Sequence, residues 1–136
     1  LAACVPLYAP YDLTDRHGVQ NDPAMDRLVE RQFLKCTLAE NREAWEKGSP
    51  IARVRRDCPP FFVIHGALDS LAYALGARHF VAALRATGAA PVAYAEIPAA
   101  QHAFDTFQSV RALLTARAVQ RFLAYQYSAQ GRNRPG

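Results

Sequence analysis

Cysteine is scarce in this chain. Cys4, Cys36 and Cys58 are the only three among 136 residues, and no CxxC pair occurs. An odd, sparse set argues against a disulfide framework and favours a reducing compartment, the cytoplasm by preference. Buried and inert is the default reading of all three. Long apolar runs are also missing. None approaches the roughly 18 residues that a membrane-spanning helix needs, so no transmembrane segment is expected. Metal-ligand spacing is absent: His17, His65, His79 and His102 form neither HxxxH nor HExxH, so no metal is expected. The charge excess of +4 is spread along the chain. Its only cluster, Arg53-Val54-Arg55-Arg56, has no aromatic platform beside it. It reads as a solvated turn before a strand rather than a nucleic-acid surface. Internal repeats and low-complexity segments are lacking too.

What is present is the composition of a folded domain. Half the residues are apolar, enough for a real core. The chain opens on Leu1 with an apolar run and no cap before it, which reads as a cut inside a longer polypeptide. Three short apolar runs stand out: Leu1 to Tyr8, Phe61 to Ile64 closed by His65-Gly66, and Val92 to Ile97 closed by Pro98. Continuous apolarity bounded by Pro and Gly predicts strands of a sheet covered on both faces.

Helical patterns fill the intervals. Met25, Leu28, Val29 and Phe33 keep helical spacing. Asn41 caps a short helix that Gly48 ends, and Ser49-Pro50 looks like a fresh start. Ala77, Phe80, Val81 and Leu84 mark one helix face, with Gly88 as its left-handed stop. Val110, Leu113, Leu114, Ala118 and Phe122 mark a long last helix. Residues 128–136 read as a flexible polar tail. The order strand, helices, strand, helix, strand, helix is the grammar of an α/β fold. It predicts about three parallel strands with crossover helices on both faces.

In an open parallel sheet, function gathers beyond the carboxyl ends of the strands. The second strand leads into His65-Gly-Ala-Leu-Asp69-Ser70, and the third into Pro98-Ala-Ala-Gln-His102-Ala-Phe104-Asp105. Asp69 and His102 therefore share one rim. A carboxylate and an imidazole so placed can form the acid–base pair that a serine nucleophile needs. Other readings compete. Asp69 could cap the following helix. His102 could be a hydrogen-bonded loop residue. Asp105 reads as a cap or loop brace, His65 as a packed structural residue, and His79 and His17 as surface groups. Tyr8 and Tyr11 pack or line an acyl pocket; Trp45 covers an apolar patch or a substrate entrance.

The stretch Pro59-Pro-Phe-Phe-Val-Ile-His-Gly-Ala-Leu-Asp69 resembles the acid-bearing strand and loop of α/β-hydrolases, often written HGxxD. Tyr94 to Phe104 resembles their histidine loop. With Ala77-Arg-His-Phe80 and Arg121-Phe122-Leu123, these segments resemble hormone-sensitive-lipase-like bacterial esterases and lipases over residues 1–127. The resemblance implies the C-terminal segment of an α/β-hydrolase catalytic domain. It implies carboxylic-ester hydrolysis through an acyl-enzyme, with Asp69 and His102 in catalytic roles and no cofactor.

The chain order of such triads is Ser, acid, His. The four serines here, Ser49, Ser70, Ser109 and Ser128, lie in no GxSxG, and no HGGG stretch occurs. The nucleophile and oxyanion hole are thus expected from an upstream half of the same polypeptide. The resemblance implies as partners a small-molecule or lipid ester substrate, that upstream half, and a homodimer through the last strand and helix. Ala72-Tyr73 stands where relatives carry Val-Pro or a similar pair, and Ala99 where Gly is common. The rival readings are a non-catalytic fragment or degenerate hydrolase kept for binding, or another triad hydrolase such as a dienelactone hydrolase or peptidase.

Overall fold

A computed structural model describes residues 1–20, 22–88 and 90–132. Its centre is a parallel pair, β1 (Phe61–Gly66) and β2 (Val92–Ile97), in register from Phe61↔Val92 to Gly66↔Ile97. The first apolar run lies parallel on the other side of β1, bridged at Cys4↔Phe61 and Leu7↔Ile64. Its hydrogen bonds alternate as a ladder should: Cys4 N to Pro60 O, Phe62 N to Cys4 O, Ile64 N to Pro6 O, and Tyr8 N to Ile64 O. The rung that residue 6 would donate is missing, because proline has no N–H. The expected three-stranded arrangement is therefore present as two regular strands and one interrupted strand, with β1 in the middle.

Helices lie on both faces. Alternation along β1 sends Phe61, Val63 and His65 one way and Phe62 and Ile64 the other. On the first face α3 (Ala74–Ala86) packs Ala77, Phe80, Val81 and Leu84 against Val63 and Tyr11. These are the residues that helical spacing singles out, and Gly88 beyond them takes φ +63°. On the second face α4 (Val110–Arg132) meets β1 through Phe122 and Phe62, ring centroids 5.5 Å apart.

The inward stripe of α4 differs from the expected one. Thr115 and Gln126 are buried and Ala118 and Phe122 half-buried, whereas Val110, Leu113 and Leu114 are each more than half exposed. The helix carries a second apolar stripe that nothing in the described structure covers. It also runs to Arg132, four residues beyond the expected start of the tail at Ser128; residues 133–136 lie outside the described residues. Among the described residues no helix is long and apolar enough to cross a membrane.

Between the first run and β1 lies a helical excursion. It comprises α1 (Pro23–Leu28), a π-helical turn over Val29–Leu34, α2 (Arg42–Gly48) and a 3₁₀ turn over Pro50–Arg53. Asn41 caps α2 by accepting from Ala44 N. Ser49 stands at the N-cap of the 3₁₀ turn with Pro50 next to it, as expected, but its side chain makes no capping bond. Its hydroxyl donates to Trp45 O and accepts from Leu13 N. Trp45 is 2% exposed in a cluster with Met25, Val29 and Ala72, and its indole N–H donates to Cys36 O. It is a core residue. The cysteines are free and half-buried, not buried.

One polar cluster ties α3 to the sheet. Arg78 reaches Glu96 through two hydrogen bonds of 2.8 and 2.6 Å, and the Tyr94 hydroxyl donates to the same carboxylate at 2.7 Å. The guanidinium first, and the phenol second, lower the Glu96 carboxyl to about 2. An unfolded glutamate titrates near 4.3. Folding therefore releases protons here, and the cluster's contribution is complete above about pH 4.5 and lost as pH falls toward about 2. Glu96→Gln is expected to flatten that part of the dependence of the urea midpoint on pH; an unchanged acid limb would refute the assignment.

Candidate active site

The site begins with a close approach of backbone. β1 and β2 end side by side at Gly66 and Ile97. A Cβ on Gly66 would stand 2.6 Å from the Ala100 carbonyl oxygen and 2.8 Å from that of Gln101. Only glycine lets the loops after the two strands touch here. Two hydrogen bonds then join them, Ala67 N to Ile97 O at 3.0 Å and Leu68 N to Ala100 O at 2.9 Å.

From the first loop comes Asp69, whose side chain is wholly buried. Its Oδ1 accepts the amides of Leu71 and Ala72, each at 2.9 Å. From the second comes His102, its side chain 29% exposed, with Nδ1 2.9 Å from Asp69 Oδ2. An ionised carboxylate can only accept, so Nδ1 is the nitrogen that donates, and in the neutral imidazole the lone pair then lies on Nε2. A buried carboxyl group held by two amides orients an imidazole that reaches solvent, and an imidazole so placed can take a proton from an incoming hydroxyl.

The second loop is held under strain. Ala99 and Ala103 adopt φ +53°, a left-handed geometry that a Cβ disfavours. Arg111 at the start of α4 donates to Pro98 O. Asp105 braces the loop by accepting from the Tyr8 hydroxyl at 3.0 Å. Tyr8 also sets its ring against His102 at 4.7 Å and Phe104 at 6.0 Å, edge-on in both cases. Partial burial first, and the Asp105 carboxylate second, raise the Tyr8 phenol above its ordinary range, which keeps it a donor.

Sequence reading did not single out Gln20. Its carboxamide donates to Leu71 O at 2.6 Å and accepts from Tyr73 N at 3.2 Å, clamping the acid loop from outside. The contact spans 51 residues, so no local pattern announces it. His17 and His79 meet edge-on, centroids 4.6 Å apart, away from this pair. Tyr11 stacks on Phe80 in the core at 4.5 Å.

A two-face parallel sheet with acid and imidazole loops beyond adjacent strands defines the C-terminal portion of an α/β-hydrolase. The chain belongs to the BD-FAE family, whose model matches residues 1–84. It is 44% identical over 128 residues to the probable carboxylic ester hydrolase LipM of Mycobacterium tuberculosis, covering 94% of this chain and 30% of that protein. A truncated carbohydrate esterase from gut microbiota superposes with TM-score 0.73 at 19% identity, over 94% of this chain and 43% of that one. The propionate-bound esterase 2 of Thermogutta terrifontis gives TM-score 0.67 at 23% identity, over 91% and 42%. The chain thus spans about 30% of the length of the curated relatives it matches.

Two substitutions test this geometry. Gly66→Ala is expected to displace the Ala100–Gln101 backbone, separate His102 from Asp69 in a crystal structure, and cost about 1–3 kcal/mol by overpacking. Ala99→Gly is expected to relieve the left-handed strain and stabilise by about 0.5–1 kcal/mol in urea titration, since the strain relieved slightly exceeds glycine's extra chain entropy. Destabilisation by the second change would show that Ala99 is not strained.

Proposed function

We propose that this chain supplies the acid and the base of a serine carboxylic-ester hydrolase. The observation that carries the reading is the Asp69–His102 contact: a buried carboxylate 2.9 Å from the Nδ1 of a partly exposed imidazole. Relatives named as ester hydrolases at 38–44% identity support the reaction class. The nucleophile and oxyanion donors come from elsewhere in the complete enzyme, consistent with the absence of GxSxG here and with the greater length of those relatives. The exposed stripe of Val110, Leu113 and Leu114 on α4 is a surface that further polypeptide would cover.

In this mechanism the serine hydroxyl attacks the ester carbonyl while His102 Nε2 takes its proton. The tetrahedral intermediate collapses, and the imidazolium returns that proton to the departing alcohol, leaving an acyl-enzyme. Water then attacks the acyl carbon, again losing a proton to His102, and the carboxylic acid leaves as the serine is re-protonated. Asp69 fixes the tautomer and stabilises the imidazolium through both halves.

In the complete enzyme, His102→Ala is expected to lower kcat for a short-chain aryl ester by several orders of magnitude, roughly 10³-fold or more, with an unchanged circular dichroism spectrum. Near-normal turnover from a folded variant refutes the assignment and favours a binding module.

A further inference from the structure

We propose that His65 is a positioning residue for Asp69, acting on His102 only through that carboxylate. The proposal rests on the acid–base reading of Asp69 and His102. His65 closes β1 and is completely buried, its ring tilted toward Tyr11 at 6.2 Å. Its Nε2 lies 2.6 Å from the Ala72 carbonyl oxygen and 3.2 Å from Asp69 Oδ2. Both neighbours are acceptors, so Nε2 carries the proton. The N–H donates to Ala72 O, and its positive edge also faces Oδ2. Nδ1, the bare nitrogen of that tautomer, is buried with no hydrogen-bond partner among the described residues.

The orphaned nitrogen makes the argument. A buried acceptor without a partner is destabilising. A hydrocarbon side chain of similar volume would avoid that cost, but it could not donate at Nε2. The donation has one evident use. Ala72 is held at both ends: its N–H binds Asp69 Oδ1 and its C=O binds His65. The turn from Asp69 to Ala72 is thereby closed around the carboxylate. Oδ1 is occupied by the Leu71 and Ala72 amides, and Oδ2 faces the two imidazole nitrogens, His102 Nδ1 at 2.9 Å and His65 Nε2 at 3.2 Å. Rotation of the carboxylate would break contacts on every side. His65 touches no atom that reacts; it determines where Oδ2 stands when His102 arrives.

The test is NMR of the complete enzyme labelled with ¹⁵N-histidine, which reads ring tautomers directly and needs no ester. In the unsubstituted chain, His65 is expected to show a protonated Nε2 and His102 a protonated Nδ1. His65→Gln places a carboxamide N–H where Nε2 stands and is expected to keep the His102 Nδ1–H resonance. His65→Asn places its N–H near Nδ1 instead, and His65→Leu supplies none; both are expected to lose that resonance while the Leu84 and Val81 methyl signals stay dispersed. A folded Leu variant with the His102 resonance unchanged overturns the proposal. So does a His65 protonated at Nδ1 in the unsubstituted chain, a measurement that requires no variant to fold. Failure of the esterase reading is distinct: it shows as turnover retained by His102→Ala, with the tautomer pattern intact.

Discussion

Everything at the rim follows from one backbone approach. Gly66 ends β1 with no side chain, and the Ala100–Gln101 carbonyls occupy the space that a Cβ would take. Parallel strands in register deliver their following loops side by side, but adjacency alone does not bring a carboxylate within 3 Å of an imidazole. The missing Cβ does, because it lets Ala67 N and Leu68 N donate to Ile97 O and Ala100 O before Asp69 and His102 are reached. The separation of the pair is then governed by a few covalent steps from a fixed point, not by long flexible side chains.

The acid loop is supported from the core as well as from the rim. Ala72, which donates to Asp69, is itself 2% exposed in the cluster around Trp45, Met25 and Val29. The helical excursion between the first strand and β1 therefore does more than connect. It places Trp45 under the loop and sends Gln20 over it. The histidine loop has fewer supports and more strain: two alanines at φ +53°, one brace from Tyr8 through Asp105, and Arg111 on Pro98. In the proposed mechanism, support on the carboxylate side and strain on the imidazole side would suit a fixed Asp69 and a His102 that exchanges protons.

Much of this was legible in the sequence because local chemistry decides it. Continuous apolar runs ending in Gly or Pro marked β1 and β2, and the i, i+3, i+4 spacing of Ala77, Phe80, Val81 and Leu84 marked the buried face of α3. The Asn41 cap is a matter of one side chain and one amide. Where the sequence misled, a longer-range fact intervened. Pro6 kept its place in the first strand but removed a rung. Val110, Leu113 and Leu114 have the apolarity of an inward face, yet the stripe turned inward is the neighbouring one through Thr115, Ala118 and Phe122. Ser49 does hold the N-cap position before Pro50, but Leu13, 36 residues away, claims its hydroxyl. Gln20 could not be found at all, since its partners lie in a loop that only folding brings near.

The two sides of the molecule are unequally finished, and the inequality has a physical meaning. Around Asp69 the neighbours come from within this chain: two amides donate to Oδ1, His102 Nδ1 donates to Oδ2, and His65 Nε2 faces Oδ2 at 3.2 Å. A carboxylate so surrounded needs no outside group to hold its orientation. On the α4 face, by contrast, leucines stand in solvent. An exposed apolar stripe of that kind calls for a covering partner, whereas the polar site does not. In the proposed hydrolase the acid–base pair is thus preorganised before the nucleophile is considered. Under that proposal a hydroxyl and an oxyanion cradle would come from outside this chain, and the alignment of Asp69 with His102 would not.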